Sequence, residues 1–502
     1  MLVVAVFVLK SNPSVRPTSS TTESSLSLAA NTHRPDVCSG PSRKTCRIDL
    51  YGRQLFVVER PVITEDQTEV IAFLEAAVTH GGKPVTRIDT HASIVFLAGE
   101  RAWKLKRAVH YDYLDFSTVE RRRAMCEAEV LVNRRVAPAL YRRAVPVTRE
   151  AAGRLALGGR GIPIEWLVEM VRFDQEGLFD RLAARKALDL ALMRPLATTI
   201  ARFHDAAARR ADHGGMAGMS WVVEGNAAGF AEHGSAVLDR TFCADLTRRS
   251  RAVLDQCGSL LDSRRDHGFV RRCHGDLHLR NIVLIEGKPT LFDAIEFNDE
   301  IAWIDVFYDL AFLLMDFWHR GLAAHANRLL NGYLAETEDF DGIAVLPFFL
   351  ACRAAVNAKT RVTASALQHD ADERRELQGA AREYLELAVR LISPAPPRLI
   401  AIGGLSGSGK STLAVNVAPI IGSAPGAIVI RSDELRKRLF HVDPLVRLGA
   451  AAYAPEVSRA VYELLAKRAA LVLQRGHSVI VDAVFADICD RRAIENSCWR
   501  TV

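Results

Sequence analysis

The chain has nine cysteines, at 38, 46, 126, 243, 257, 273, 352, 489 and 498, but no C-x-x-C pair among them. That spacing lacks the signature of a zinc site or of a disulfide framework, so reduced thiols and a cytoplasmic setting are expected. Long hydrophobic runs are missing as well. None approaches the roughly 18 residues of a bilayer span, and no membrane association is expected. Charge of one sign is also scarce, since 65 basic residues face 59 acidic ones for a net +6, spread along the chain. Nucleic acid is therefore not an expected partner, and "ERRR" and "NRR" read as solvated helix faces.

What is present divides the 502 residues into unlike stretches, and at roughly 100–200 residues per domain two to four units are expected. Residues 1–60 open with "MLVVAVFVLK", which has no preceding positive residue, and continue Ser/Thr-rich, so they read as a disordered or non-native extension. Residues 61–174 read as a small lobe. It has a helix-like "TEDQTEVIAFLEAAVTHG", a hairpin of "SIVFLAG" and "RAWKLKRAV", a helix in "STVERRRAMCEAEVLVNRRVAP" with Met125, Val130 and Val132 at apolar spacing, and a strand in "IPIEWLVEMVRF". Residues 175–392 read as a helical large lobe. "SPAPPR", 393–398, is a proline-rich linker, and 399–502 opens as strand, glycine loop and helix.

Two stretches carry chemistry. In "HGDLHLRN", His274, Asp276 and Asn281 meet the spacing His-x-Asp-x-x-x-x-Asn, which puts a base and an oxygen ligand for magnesium on one short loop. Asp293 in "LFDAIEF" stands seventeen residues after Asp276, where a second metal ligand would follow. In "GLSGSGKST", Gly404, Gly409, Lys410 and Ser411 satisfy G-x-x-x-x-G-K-[ST], with Gly407 between them and Thr412 after. Such a loop turns its N–H groups toward phosphate, with Lys410 on the terminal phosphates and Ser411 on magnesium. Asp482 ends the strand-like "SVIVDAVF", the place of a carboxylate that holds magnesium through water.

"CHGDLHLRNIVL", "LFDAIEF" and "IDVFYDLAFL" together resemble the aminoglycoside phosphotransferase family, a branch of the protein-kinase-like fold. The resemblance implies Asp276 as catalytic base, Asn281 and Asp293 as magnesium ligands, His274 as a brace and Asp309 as support for the large lobe. It also calls for a phosphate-binding lysine held by a helix glutamate. Lys104 in "RAWK" has the spacing, but Lys106 shares its strand face. Glu127 takes the partner position, with Glu129 as its alternative. No G-x-G-x-x-G occurs in the first hairpin, and "VEMVRF" would be the interlobe hinge, meeting adenine near Glu169 and Val171.

The C-terminal stretch resembles small P-loop kinases, which implies that Asp433 faces an acceptor hydroxyl and Arg436 binds substrate. Ser432 and Asp433 would equally serve as a helix cap. Only about 105 residues follow the linker, so this domain is expected to be incomplete.

The expected architecture is thus an α+β two-lobe protein-kinase-like domain followed by a partial α/β P-loop NTPase domain. Its expected chemistry is ATP- and Mg2+-dependent phosphate transfer to a hydroxyl of a small molecule. Phosphotransfer through the P-loop domain, or nucleotide binding without catalysis, are the alternatives.

Overall fold

The computed structural model describes residues 5–9, 62–111, 113–443 and 446–499. Of the N-terminal extension, Ala5–Leu9 form a strand, and 10–60 lie outside the described residues.

Strand alternation builds the small lobe. Ser93–Ala98 and Arg101–Lys106 pair antiparallel across Gly99-Glu100, with Val95 opposite Lys104. Gly99 sits at φ 57°, a backbone state that the tight turn requires and that glycine adopts without strain. The sheet has six strands in the order Val85–Asp89, Ser93–Ala98, Arg101–Lys106, Ile162–Val171, Tyr141–Arg149 and Leu155–Leu157. Trp103 and Leu105 point into an apolar cluster with Ile94, Phe96 and Leu167. The period of two turns Ala102, Lys104 and Lys106 to the other face.

The helix expected after the hairpin spans Val119–Asn133, and Thr118 Oγ1 caps it by accepting the Arg121 N–H at 3.3 Å. Its inward stripe is Arg122, Cys126, Glu129, Val130 and Asn133. Burying such polar groups is tolerable only when they are paired. Arg122 accordingly meets Glu165 at 2.8 Å. The first helix-like stretch resolves as Thr68–Glu75 and a 3-10 turn, Ala77–His80, because Ala76 is extended at ψ 121°.

The large lobe packs around Val306–His319, a helix buried on nearly every side, as an apolar helix without a polar face must be. Two antiparallel ribbons, Val270–Arg272 with Trp303–Asp305 and Ile282–Ile285 with Lys288–Leu291, bracket the motif loop at 274–281. The end of the helix Arg240–Asp266 is locked by buried Arg264, which bonds Asp305 at 2.7 and 2.9 Å and Asp339 at 2.7 and 2.8 Å. Burial opposes the charge on this guanidinium, but the two carboxylates hold its pKa well above the ordinary arginine value.

Residues 394–398 have no regular structure. Beyond them the sheet runs Ala5–Leu9, Leu399–Gly403, Val479–Ala483, Ile428–Arg431, with the last three strands parallel and the N-terminal one antiparallel. One hydrophobic core is continuous from the large lobe into this domain, joining Leu330 and Leu334 to Ile428, Ile430 and Leu435. Among the described residues no helix is long and apolar enough to cross a membrane.

Substituting Arg264→Ala strands two buried carboxylates, and the unfolding free energy should fall by about 3–5 kcal/mol in urea titrations. A loss below about 1 kcal/mol would show that the network does not support the lobe.

Candidate functional site

The start of the motif loop is held from below by one carboxylate, and its far end by another, Asp316, which accepts the Leu279 N–H at 3.0 Å. Asp309 accepts the N–H groups of His274 at 3.0 Å and Gly275 at 2.9 Å, and it meets His204 Nε2 at 3.1 Å. His204 Nδ1 in turn meets Tyr333 Oη at 2.9 Å. Burial pushes the Asp309 pKa up, but the bond and charge of His204 outweigh it and hold the carboxylate ionised. Gly275 lies at φ 81°, and a Cβ there would come 3.1 Å from the Ile301 carbonyl, so glycine is required. His274 Nε2 spans to Phe292 O at 2.9 Å, tying the loop to the segment that carries Asp293.

His204, Cys273 and Asp309 lie close enough together to hold an ion. Both Asp309 oxygens are already taken, however, and the Cys273 thiol, its pKa raised by burial, donates to Ile304 O at 3.4 Å. Each of the three is thus engaged in a hydrogen bond of the buried core.

Asp276 opens onto the cleft with 39% of its side chain exposed. Asn281 Nδ2 donates to its Oδ2 at 3.0 Å and to its carbonyl at 2.9 Å, which turns the Asn281 amide oxygen the other way. The Arg280 N–H donates to His278 Nδ1 at 3.2 Å, so His278 carries its proton on Nε2, 3.3 Å from Asp276 Oδ2. Burial pushes the Asp276 carboxyl up, yet the charge and hydrogen bond of His278 win and hold it well below the usual range. Burial would lower His278, and Asp276 raises it.

Across the cleft, Asp293 has left-handed backbone at φ 62°. That strained conformation is held by its N–H donating to Tyr141 Oη at 3.0 Å and by the Ala294 N–H donating to Asn133 Oδ1 at 2.8 Å. Lys104 Nζ donates to Asp293 Oδ1 at 2.5 Å and to Glu129 Oε1 at 2.9 Å. Lys106 Nζ donates to Glu129 Oε2 at 2.6 Å and to Glu296. Lys106 is sealed at 1% exposure, whereas Lys104, at 14%, borders the cleft.

The lysine's partner is Glu129, fully buried, and not Glu127, which is 51% exposed in an i,i+4 pair with Arg123. Two residues turn a helix by about 200°, so only one of the two glutamates can face the sheet. Burial would raise the Glu129 pKa and lower that of Lys104, but their mutual attraction and that of Lys106, Asp293 and Glu296 reverse both.

One neighbour of the cleft carries no motif. The loop after Val85–Asp89 is closed by Thr90 Oγ1 bonding Ser93 O at 2.9 Å and is tied by Arg107 Nε to Thr90 O at 2.8 Å. It presents His91, whose pKa is lowered by burial and which lies in the field of Asp276, Lys104 and Asp293. The only sequence signal was the missing glycine-rich motif in that hairpin.

The residues expected near adenine sit at the end of a small-lobe strand. Glu169 and Val171 lie within the strand Ile162–Val171, the Val171 N–H donates to Leu140 O at 2.8 Å, and the Glu169 carboxylate pairs with Arg143 at 2.9 Å.

In the C-terminal domain Gly407 and Gly409 are left-handed, at φ 78° and 81°, and open the helix Lys410–Val417. Thr412 is exposed in its first turn, and the Gly404 N–H donates to Val484 O at 3.2 Å. Lys410 Nζ folds onto Leu405 O at 3.2 Å. Ser411 Oγ donates to Asp482 Oδ2 at 2.5 Å, and Arg431 Nε reaches the same oxygen at 3.3 Å. Asp482 is buried, and its Oδ1 has no partner among the described residues. An orphaned buried carboxylate oxygen beside a serine hydroxyl fits a hard divalent cation.

Asp433 lies in the first turn of Ser432–Leu439, paired with Lys437 at 3.0 Å, and the helix has no side-chain cap, so the capping expectation fails. Arg436, expected to bind substrate, is buried and donates to Ala452 O at 2.6 Å and Ser458 Oγ at 3.3 Å.

Glu129→Gln should cost about 3–5 kcal/mol in denaturant unfolding, because it removes the buried carboxylate that Lys104 and Lys106 share, while Glu127→Gln should stay within about 0.5 kcal/mol. With Glu129 depressed and Lys104 raised, their contribution is complete between the ordinary values of 4.5 and 10.5. It is lost as pH falls through the depressed Glu129 value or rises through the raised Lys104 value. Unfolding curves across pH, for wild type and Glu129→Gln, would show that window or its absence.

Residues 116–346 match the family described as phosphotransferase enzyme family, and residues 399–498 match an AAA domain. Uncharacterized protein Rv2004c of Mycobacterium tuberculosis is 31% identical over 420 residues, covering 80% of this chain and 80% of its own. Uncharacterized protein Mb2027c of Mycobacterium bovis gives the same figures. Among solved structures, a Plasmodium vivax ethanolamine kinase shares 12% identity over 65% of this chain and 90% of its own, at TM-score 0.40. Amicoumacin kinase, solved with AMP-PNP, Ca2+ and Ami, shares 14% over 64% of this chain and 94% of its own, at TM-score 0.40. The chain belongs to the phosphotransferase enzyme family, as a kinase-type enzyme that carries a C-terminal AAA domain.

Proposed function

We propose that this enzyme transfers the γ-phosphate of ATP to a hydroxyl of a small molecule, with Asp276 as the base. The observation that carries the reading is the convergence, on one cleft, of Asp276, Asn281 and Asp293 from the large lobe with Lys104 from the small lobe. Lys104, held by Glu129, would bind the α- and β-phosphates. Asn281 and Asp293 would hold Mg2+, which neutralises phosphate charge when bound. Asp276 orients the acceptor hydroxyl and takes its proton as the oxygen bonds to phosphorus and ADP leaves. The free state of the described cysteines supports a reducing, cytoplasmic setting.

A second nucleotide would lie on Gly404, Gly407, Gly409, Lys410, Ser411 and Thr412, with Mg2+ on Ser411 and, through water, Asp482. The orphaned Asp482 oxygen favours that second site. In the rival reading the transfer itself runs there, with Asp433 facing the acceptor.

Asp276→Asn should lower ATP-dependent phosphorylation of a metabolite pool by about 10²–10⁴-fold. An unchanged rate there, with loss in Lys410→Ala, would move the chemistry to the P-loop. Because the imidazolium of His278 would engage Asp276, the rate should fall as pH drops through the raised His278 value. His278→Asn should flatten that limb, and an unaltered pH–rate profile in the variant would remove His278 from it.

A further inference from the structure

The helix Ala323–Thr337 stands between the two sites and touches the supports of both. On one face, Asn331 Oδ1 accepts the Val429 N–H at 2.7 Å and Asn331 Nδ2 donates to Ala427 O at 3.3 Å. Asn327 Nδ2 donates to the same carbonyl at 3.0 Å. Ile428–Arg431 is the outer strand of its sheet, and an open strand edge needs cover. Here two asparagine side chains supply the hydrogen bonds that another strand would otherwise make. The strand ends at Arg431, which shares Asp482 Oδ2 with Ser411.

Two residues on from Asn331, about 200° around the helix, Tyr333 faces the other way. Its hydroxyl meets His204, His204 meets Asp309, and Asp309 holds the N–H groups of His274 and Gly275, immediately before Asp276. Just past the helix, Glu338 receives Arg438 and Arg468 from the C-terminal domain. Asp339, the next residue, receives Arg264 from the large lobe.

We propose that the P-loop domain is a nucleotide sensor for the kinase-like site, acting through the helix Ala323–Thr337. The inference rests on the two-site reading above. Asp482 is shared between Ser411 and Arg431, so a ligand that draws Ser411 away alters what Asp482 offers Arg431. Arg431 belongs to the strand whose edge is paired to Asn331. Leu330 and Leu334 belong to the same buried hydrophobic core as Ile428 and Ile430, so a displaced strand bears on the helix through that core as well as through Asn331.

Binding coupling is reciprocal, which gives a test that simple destabilisation would not satisfy. Equilibrium binding of MgADP to the full chain would be measured in wild type, in Lys104→Ala to isolate the P-loop site, and in Lys410→Ala to isolate the kinase-like site. The wild-type two-site isotherm should depart from the sum of the two single-site isotherms by one common factor, about five-fold or more. Asn331→Ala should return it to that sum with both sites still filling. Hydrogen exchange of residues 323–338 should change on adding MgADP to Lys104→Ala, and not to the Lys104→Ala, Lys410→Ala double variant. An additive wild-type isotherm with unaltered exchange overturns the proposal. A wild type that binds one nucleotide, with Lys410→Ala binding as much, overturns the two-site reading instead. Should Asn331→Ala melt at a lower temperature than wild type, Arg438→Ala, at the edge of the same interface, replaces it with the same expectation.

Discussion

Asp309 is the contact on which the candidate cleft depends. Two consecutive N–H groups, from His274 and Gly275, point at one buried carboxylate, and that fixes the direction in which Asp276 leaves the loop. A buried charge is costly unless every lone pair is used. His204 completes the set, and Tyr333 completes His204. The loop thereby inherits the rigidity of the large-lobe core, built around the helix that carries Asp309.

The small lobe follows the same logic with the signs exchanged. Lys104 and Lys106 lie on one strand face and would repel each other, but Glu129 lies between them, and Asp293 and Glu296 reach in from the large lobe. The lobes are joined by the sealed Lys106–Glu296 pair, where water is scarce and the attraction little screened, and by the Lys104–Asp293 pair at the edge of the cleft. The residues proposed for phosphate binding therefore also attach the lobes, and the strained backbone of Asp293 is stabilised by that surrounding structure.

Much of this was legible in local spacing. The hairpin, the capped helix after it, the motif loop, Asp293 and the glycine loop all follow from periods and short motifs that need no distant partner. Sequence reasoning stopped where the deciding contact spans the chain. Glu127 and Glu129 are chemically alike, and the sheet packing on the helix settles which is buried. Arg436 and Asp433 share a helix, yet packing against Ala452 and Ser458 buries the first and leaves the second at the surface. His91 belongs to a loop with no motif and gains meaning only from groups far away in sequence.

By itself, the sequence determined where the two candidate centres lie, because residues that would bind phosphate and metal must sit at short fixed spacings on one turn of chain. Tertiary structure alone decided that the two centres share a core. Pro-rich "SPAPPR" reads as separation, but Asn327 and Asn331 pair with a strand about 100 residues later. Asparagine on a helix carries no periodic signal for a strand edge. The contact arises because an outer strand with unsatisfied N–H and C=O groups must be covered, and this helix is the element the fold brings to it.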